Sequence, residues 1–291
     1  MNNKLVLVID SGSDLPIEFI NKPNVVGLPI GCNFKGRDIE DYFGQTLDTK
    51  EFYDGLRAGE MYTTSQINVY KFEEAFKSII KEEKSIIYIG LSSGLSGTIN
   101  NARSAALNVK EEYPDSDITI IDTLSASMGI GLLAYKVYEM MEKDKSKEEI
   151  IEFIEEIKLK INHYFTVDDL KHLKRGGRVS SSAATVGTLL NVKPVLHMDN
   201  EGKLIPLNKV RGRKKAILEL AKKFAERSVG DEQLITISHG DCLEDAKILE
   251  ELCRKDGRVK ECIINSLGPT IGSHTGAGLL SLFFIGNNRE E

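Results

Sequence analysis

The 291-residue chain has no tryptophan, only seven prolines and no long apolar run. Its longest nearly apolar stretches, around 128–135 and 277–285, are about ten residues or shorter, whereas a membrane-spanning helix needs about 20. The short apolar run at 4–9 is followed at once by Asp10 and Ser11, which is typical of a first strand and not of a signal peptide. We therefore expect no stable membrane insertion.

The chain is also poor in cysteine, with four residues and no C-x-x-C pair among Cys32, Cys242, Cys253 and Cys262. Scattered thiols in a chain of this size indicate a reducing compartment, where they serve as small core residues. The expectation is a cytoplasmic protein without disulfides.

The chain also has no net positive charge. Its 38 Lys and Arg residues are outnumbered by 44 Asp and Glu residues, which gives a net charge of −6. That balance argues against a general nucleic-acid binder, whose domains are usually basic. The charge is uneven: residues 166–291 contain 20 basic and 17 acidic side chains, a net +3, which leaves −9 for residues 1–165. Two surfaces of different charge are expected.

The first half alternates short apolar runs with helical patterns. It predicts strands at 5–9, 25–30, 85–91 and 118–121, and helices at 48–59, 69–81 and 96–112. Ser146 and Glu149 match a capping box at the start of a further helix. Strands alternating with helices favour an α/β fold with a mainly parallel sheet, and a ligand is then expected beyond the carboxyl ends of the strands.

After Phe165 the pattern changes to a basic, glycine-containing stretch and then an apolar, helix-like run at 184–190. Strands are predicted at 203–206, 233–238, 262–265 and 279–285, and helices at 214–225 and 243–255. We predict two domains, residues 1–165 and 166–291.

Polar clusters follow predicted strands or lie in loops at 10–14, 63–66, 92–98 and 272–278. The cluster at 92–98 links a buried strand to a helix, so its amides and hydroxyls can face an anion at the helix N-terminus. Its glycines permit close backbone approach. An ordinary N-cap with turn glycines explains the same residues equally well.

Motifs for catalysis and for metal binding are incomplete in this chain. A serine hydrolase using Ser96 and His274 is one alternative, although Thr98 stands where the nucleophile elbow requires glycine. No Gly-Lys-Ser/Thr triplet occurs, which excludes a P-loop. His239 and Cys242 are three residues apart without a full ligand set, so no metal site is expected.

Two basic clusters, at 171–178 and 209–215, stand out from the acidic background. The guanidinium fork of an arginine beside a glycine turn suits carboxylate or phosphate. A regulatory or nucleic-acid-binding module is the second alternative, but no aromatic residue interleaves either cluster as a stacking platform would.

These pieces, taken in order, resemble the DegV family of bacterial fatty acid-binding proteins. The matching motifs are Asp10-Ser11-Gly12-Ser13-Asp14-Leu15-Pro16, Thr64-Ser65-Gln66, Ser92-Ser93-Gly94-Leu95-Ser96-Gly97-Thr98, Ile121-Asp122-Thr123, Ser127-Met128-Gly129, Lys174-Arg175-Gly176-Gly177-Arg178, Val192-Lys193-Pro194 and Ser273-His274-Thr275-Gly276. Each motif alone is weak, but the ordered set spans nearly the whole chain.

The resemblance implies two α/β domains with a long-chain fatty acid in a tunnel between or beside them. It implies that the carboxylate is bound by Thr64 and Ser96, with His274 in the same network and with Ser65 and Gly97 beside them. No cofactor, metal or catalytic residue is implied.

In the family, a separate ATP-dependent fatty acid kinase takes the bound fatty acid and makes the acyl phosphate. Arg178 and Arg211 match arginines implicated in that encounter. This chain departs from the usual family pattern at Ile67, where proline is common, and at Gly276-Ala277-Gly278; neither change removes a predicted carboxylate ligand.

Overall fold

The computed structural model describes residues 4–168, 170–180 and 191–289. The predicted helix-like run at 184–190 lies outside these residues. The strands are β1 (Leu5–Asp10), β2 (Val25–Leu28), β3 (Ile30–Phe34), β4 (Arg37–Asp41), β5 (Thr63–Ser65), β6 (Ser85–Gly90), β7 (Ile118–Asp122), β8 (Ile161–Thr166), β9 (Val192–Met198), β10 (Leu204–Arg211), β11 (Gln233–His239), β12 (Val259–Ser266) and β13 (Leu280–Ile285).

The helices follow the strands in regular alternation only in parts of the chain. They are α1 (Ile17–Ile20), α2 (Thr49–Arg57), α3 (Val69–Ile80), α4 (Thr98–Glu112), α5 (Met128–Glu142), α6 (Lys147–Ile157), α7 (Lys171–Arg175), α8 (Arg213–Arg227), α9 (Leu243–Arg254) and α10 (Pro269–Thr275). The capping box predicted at the start of α6 is confirmed, because Ser146 Oγ accepts from the Glu149 amide and the Glu149 carboxylate accepts from the Ser146 amide.

The first sheet has the strand order β2-β1-β6-β7, and its three pairings are all parallel. β1 is buried along its whole length, as expected for a parallel strand covered on both faces. The parallel sheet predicted for the N-terminal part is therefore confirmed. Its geometry places the loops that follow β1, β6 and β7 along one edge.

A second, three-stranded sheet is antiparallel, with the order β4-β3-β5. The sequence predicts one strand over 25–30, but the chain forms two strands in different sheets, with Pro29 between them. Proline has no N–H to donate to a ladder, so it marks the point where the chain changes sheets. In this sheet Thr64 lies opposite Cys32.

The third sheet is mixed and has the order β10-β9-β8-β13-β11-β12. Its β11–β12 pair is parallel, and its other pairs are antiparallel. Because β8 belongs to this sheet, the chain enters it at Ile161, a few residues before the predicted domain boundary at 165. The division into 1–165 and 166–291 stays a prediction.

Helix α5 joins the first and third sheets. It is apolar on most of its surface, and ten of its 15 residues are buried, which is typical of a helix covered on several sides. The hydrophobic cluster that contains α5 and the first sheet also contains Ile161, Leu234 and Phe283 of the third sheet. The two sheets thus share one core, and a cavity lies beside it.

Candidate functional site

A cavity with an empty volume of about 960 Å³ lies between the edge of the first sheet and one face of the third. The loops after β6 and β7, the strands β8, β9, β10 and β13, and helix α10 all contribute to its lining. Concave, mostly apolar clefts with a few polar groups are typical of sites for small molecules.

Most of the wall is apolar. Phe165 and Phe283 project from neighbouring strands of the third sheet, Leu91 follows β6, and Leu173 comes from α7. These side chains are at most 6% exposed. The cavity therefore offers an alkyl chain an environment from which water is largely removed.

Polar side chains gather at one part of this wall. Thr64 Oγ1 lies 2.8 Å from His274 Nε2, a hydrogen bond between residues 210 positions apart in the sequence. Thr64 is placed by the pairing of β5 with β3, and His274 stands in the last turn of α10. Only the packing of α10 beside the small sheet brings the two together.

The His274 ring is neutral at physiological pH. Burial lowers its pKa to about 4, with further lowering by the positive charges of Arg178 and Arg175. A neutral imidazole has one N–H donor and one acceptor nitrogen. His274 can therefore orient the Thr64 hydroxyl without adding a charge.

Ser96 and Gly97 lie at the start of α4. Ser96 Oγ is 3.0 Å from Thr98 Oγ1 and accepts from the Thr98 amide at 3.3 Å, while Gly97 is the N-cap residue. A Cβ on Gly97 would lie 2.8 Å from Gln66 Nε2, so the Gln66 side-chain amide packs closely against this glycine. The Ser96 hydroxyl is thus held beside the uncapped amides of a helix N-terminus.

Asn101 is a structural residue of the site that was not predicted from the sequence. Its side-chain amide donates to Gln66 Oε1 at 3.2 Å and to the Ile67 carbonyl at 2.8 Å. These bonds fasten the segment that carries Thr64 to helix α4. Nothing in the sequence distinguishes Asn101 from a surface asparagine, because its partners are about 35 residues away.

The two arginines that the resemblance singled out lie in different environments. Arg178 lines the cavity and donates to the carbonyls of Leu95, at 3.1 Å, and Gly176; burial lowers its pKa. Both acceptors are uncharged. Arg211 is exposed at the end of β10 and does not line the cavity.

The structure therefore brings five of the predicted site residues to one cavity: Thr64, Ser65, Ser96, Arg178 and His274. Gly97 adjoins them, and Arg211 lies elsewhere. Helix α10 also contributes Thr270, Ile271 and Thr275 to the wall, although the sequence predicts a loop over 272–278.

The polar cluster at 10–14 has a different place. The Asp10 carboxylate accepts from the Tyr88 hydroxyl at 2.6 Å and from the Leu91 and Gly12 amides at 2.9 Å, and burial raises its pKa. Asp10 thereby ties β1 to the loop after β6. It does not line the cavity, but it positions Leu91, which does.

The geometry does not assemble a Ser96–His274 pair. A catalytic histidine uses Nε2 to accept the serine proton, whereas His274 Nε2 is bonded to Thr64 and Ser96 Oγ to Thr98. A Ser–His contact occurs elsewhere: Ser125 Oγ is 2.6 Å from Nε2 of His163, which is 3% exposed and lines the cavity. Nothing in the sequence predicts this pair, because its two residues are 38 positions apart.

The candidates for metal binding are engaged in other contacts. The Cys242 amide donates to His239 Nδ1 at 3.3 Å, and its thiol donates to the Leu279 carbonyl. In the described residues, no group of three or more His, Cys, Asp or Glu side chains is arranged to hold a metal ion. The four cysteines are free thiols. No helix within the described ranges is long and apolar enough to cross a membrane.

Two helix-covered β-sheets that share a core and border a mostly apolar cavity define an α/β protein with a candidate ligand site. The DegV family matches residues 4–287. A DegV domain-containing protein of Clostridium perfringens is 44% identical over 288 residues, covering 99% of both chains. The chain belongs to the DegV family.

Solved structures agree with this assignment. A DegV family protein of Thermus thermophilus, described for its fatty acid binding, is 31% identical with a TM-score of 0.87, over 97% of this chain and 99% of the other. DegV of Bacillus subtilis, described as a fatty acid-binding protein, is 33% identical with a TM-score of 0.83, over 98% and 99%. The mixed α/β architecture predicted from the sequence is confirmed.

Proposed function

We propose that this protein binds a long-chain fatty acid, with the acyl chain in the cavity and the carboxylate beside Thr64 and His274. The observation that carries the proposal is the Thr64–His274 hydrogen bond in the wall of a mostly apolar cavity. The relatives from Thermus thermophilus and Bacillus subtilis, both described as binding fatty acids, support it.

The two ends of a fatty acid have opposite needs. Each buried CH₂ contributes about 0.8 kcal/mol, so a long chain gains a large free energy in an apolar cavity. A buried carboxylate is costly unless it is hydrogen-bonded. A mostly apolar cavity with polar side chains around Thr64 and His274 meets both needs.

The head-group contacts follow from the donors available. If His274 Nε2–H donates to Thr64 Oγ1, the Thr64 hydroxyl proton is left for the carboxylate. The Ser96 hydroxyl supplies a second donor, and Ser65 and Gly97 border the same place. Arg178 offsets the negative charge, since its own hydrogen bonds go to neutral carbonyls.

The family resemblance supplies the remaining part of the proposal. We propose a cytoplasmic carrier without turnover of its own, which presents the carboxylate to a separate ATP-dependent kinase for acyl-phosphate formation. Arg178, at the cavity, serves the carboxylate end of that encounter, and the exposed Arg211 serves the partner's surface. Neither nucleic acid nor a membrane-inserted segment has a part in it.

The proposal is tested by extracting the purified protein with organic solvent and identifying the released lipid by mass spectrometry. Uptake of a panel of fatty acids by the stripped protein is then measured. Thr64→Val should weaken uptake at least about tenfold, the worth of one lost hydrogen bond to a charged group. Thr63→Val, the exposed neighbour on β5, is the matched control and should leave uptake unchanged. A protein that is empty and takes up no fatty acid would overturn the proposal.

The proposed encounter with the kinase requires a separate measurement. With a fatty acid kinase and ATP, Arg211→Ala should reduce acyl-phosphate formation while fatty acid uptake stays normal. Equal acyl-phosphate yields from the variant and the parent would exclude a role for Arg211. Ester hydrolysis that is lost on Ser96→Ala would instead favour the hydrolase alternative.

A further inference from the structure

A second pocket, with an empty volume of about 680 Å³, lies next to the cavity proposed to hold the fatty acid (the main cavity). Among the described residues, Leu267 is the one that contributes to the walls of both. It follows β12, precedes α10 and is 1% exposed. The function proposed above makes no use of the second pocket.

The partition between the two spaces is one layer of residues thick. Ser11 and Asp41 line the second pocket, whereas Ile30 and Thr270 line the main cavity. Ser11 Oγ accepts from the Ile30 amide at 3.0 Å and lies 3.4 Å from Thr270 Oγ1. The Thr270 hydroxyl also donates to Asp41 Oδ2 at 2.6 Å. Residues on one side of the partition thus contact residues on the other side directly.

Leu267 adds an apolar side chain to this partition, and its backbone is fixed on both sides. Its amide donates to the His239 carbonyl at 2.9 Å, and its carbonyl accepts from the Tyr53 hydroxyl at 3.1 Å. Both bonds use main-chain atoms of Leu267, so a shorter side chain leaves them in place. The hydrogen-bonded part of the partition separates only if buried bonds are lost, whereas a smaller residue at 267 opens it.

Leu267 lies at the opposite end of α10 from the proposed carboxylate site. His274 stands in the last turn of α10, whereas Leu267 comes two residues before the helix begins at Pro269. At about 1.5 Å per residue, His274 is roughly 7 Å along the helix axis from Pro269. A fatty acid whose carboxylate lies beside His274 therefore contacts Leu267 with its alkyl chain and not with its head group.

The space behind Leu267 has apolar groups in its wall. Leu15 and Phe43 line the second pocket and are 1% and 6% exposed. Burial raises the pKa of the Asp14 and Asp41 carboxyl groups in the same wall, which favours their neutral forms. The end of an alkyl chain that enters this pocket therefore finds apolar contacts there.

We propose that Leu267 determines specificity by closing the main cavity on this side and limiting the length of the fatty acid that fits. The inference rests on the function proposed above. In the parent protein, a longer chain has to displace a buried side chain from a packed partition, which is unfavourable. With a smaller side chain at 267, each additional methylene that enters the second pocket contributes about 0.8 kcal/mol, or about fourfold in affinity.

The test uses a series of straight-chain saturated fatty acids that lengthens by two carbons at each step. Equilibrium binding is measured with protein from which lipid has been extracted, and the parent should show an optimum length. Leu267→Ala should bind the acid two carbons longer than that optimum at least about tenfold more tightly than the parent does. Leu279→Ala is the matched control, because Leu279 is 3% exposed and lines the main cavity but not the second pocket. It should leave the optimum length unchanged.

The outcomes separate this inference from the function on which it rests. A parent protein that binds none of these fatty acids would overturn both. A parent that binds them, with the same optimum length in Leu267→Ala, would overturn the role of Leu267 alone. An equal shift in Leu279→Ala would overturn that role as well, because widening at any point of the wall would then suffice. If Leu267→Ala does not fold, Leu267→Val is measured in its place and should still favour the longer acid relative to the parent.

Discussion

Replacing Arg289 with alanine should destabilise the fold by about 3 to 5 kcal/mol, because a buried charged side chain that makes four hydrogen bonds is lost. Arg289 is 1% exposed although it lies near the end of the chain. Its guanidinium donates to the carbonyls of Ile161 at 2.9 Å, Leu124 at 2.5 Å, Asp199 at 3.2 Å and Lys158 at 2.8 Å. One side chain thus fastens the start of β8 to the segments that follow β7, α6 and β9.

The magnitude follows from those four bonds. A hydrogen bond to a charged group contributes about 1.5–3 kcal/mol, and truncation leaves four carbonyls without their donor. The stabilisation from these hydrogen bonds is partly offset by the free-energy cost of burying the guanidinium. The same burial lowers the pKa of Arg289 to about 10. The net loss should lower the melting temperature by about 6 to 10 °C, at about 2 °C per kcal/mol for a chain of this size.

Urea denaturation followed by circular dichroism measures this loss. Arg289→Lys should recover little of it, because an ammonium group cannot reproduce the planar fork. Arg254→Ala is the control: Arg254 is exposed and pairs with Glu250 on the surface of α9, so it should cost less than about 0.5 kcal/mol. If Arg289→Ala costs less than about 1 kcal/mol, a typical single hydrogen bond, the four-bond account is refuted.

Two further predictions concern His274. Its folded pKa of about 4 lies below the ordinary 6.5, so the unfolded chain binds the extra proton and stability falls by up to about 3 kcal/mol as the pH drops from 6.5 to 4. His274→Gln should remove that part of the slope in urea denaturation at several pH values; an unchanged slope would contradict the burial of the ring. Gly176→Ala would place a Cβ 2.5 Å from His274 Nδ1, so it should lower affinity for the proposed fatty acid by about tenfold, about 1.4 kcal/mol. Unaltered affinity in equilibrium binding would show that the ring can move without consequence.

The parts of the fold that could be predicted have short-range causes. β1 and β6 are continuous apolar runs because strands in a covered parallel sheet have no solvent face. The capping box at Ser146 depends only on residues three apart. These patterns are visible wherever the determining residues are neighbours in the chain.

The elements and contacts that were not predicted depend on partners that are distant in the sequence. β3 and β5 form a sheet only with each other and β4, and the polar segment 272–278, expected as a loop, begins inside α10 because Asp41 caps that helix from about 230 residues away. The Ser125–His163 contact and the role of Asn101 are equally non-local. Residue propensities and the spacing of apolar residues do not predict contacts between residues this far apart in the sequence.

By itself, the sequence determined the α/β class, the parallel first sheet and the set of hydroxyl, histidine and arginine residues that mark the family. Tertiary structure decided which of them share a cavity. Thr64, Ser96 and His274 converge because three separate elements pack at one edge of the first sheet, whereas Arg211 is left on the surface. The sequence determines which chemical groups the side chains have, but tertiary packing determines the distance between two side chains.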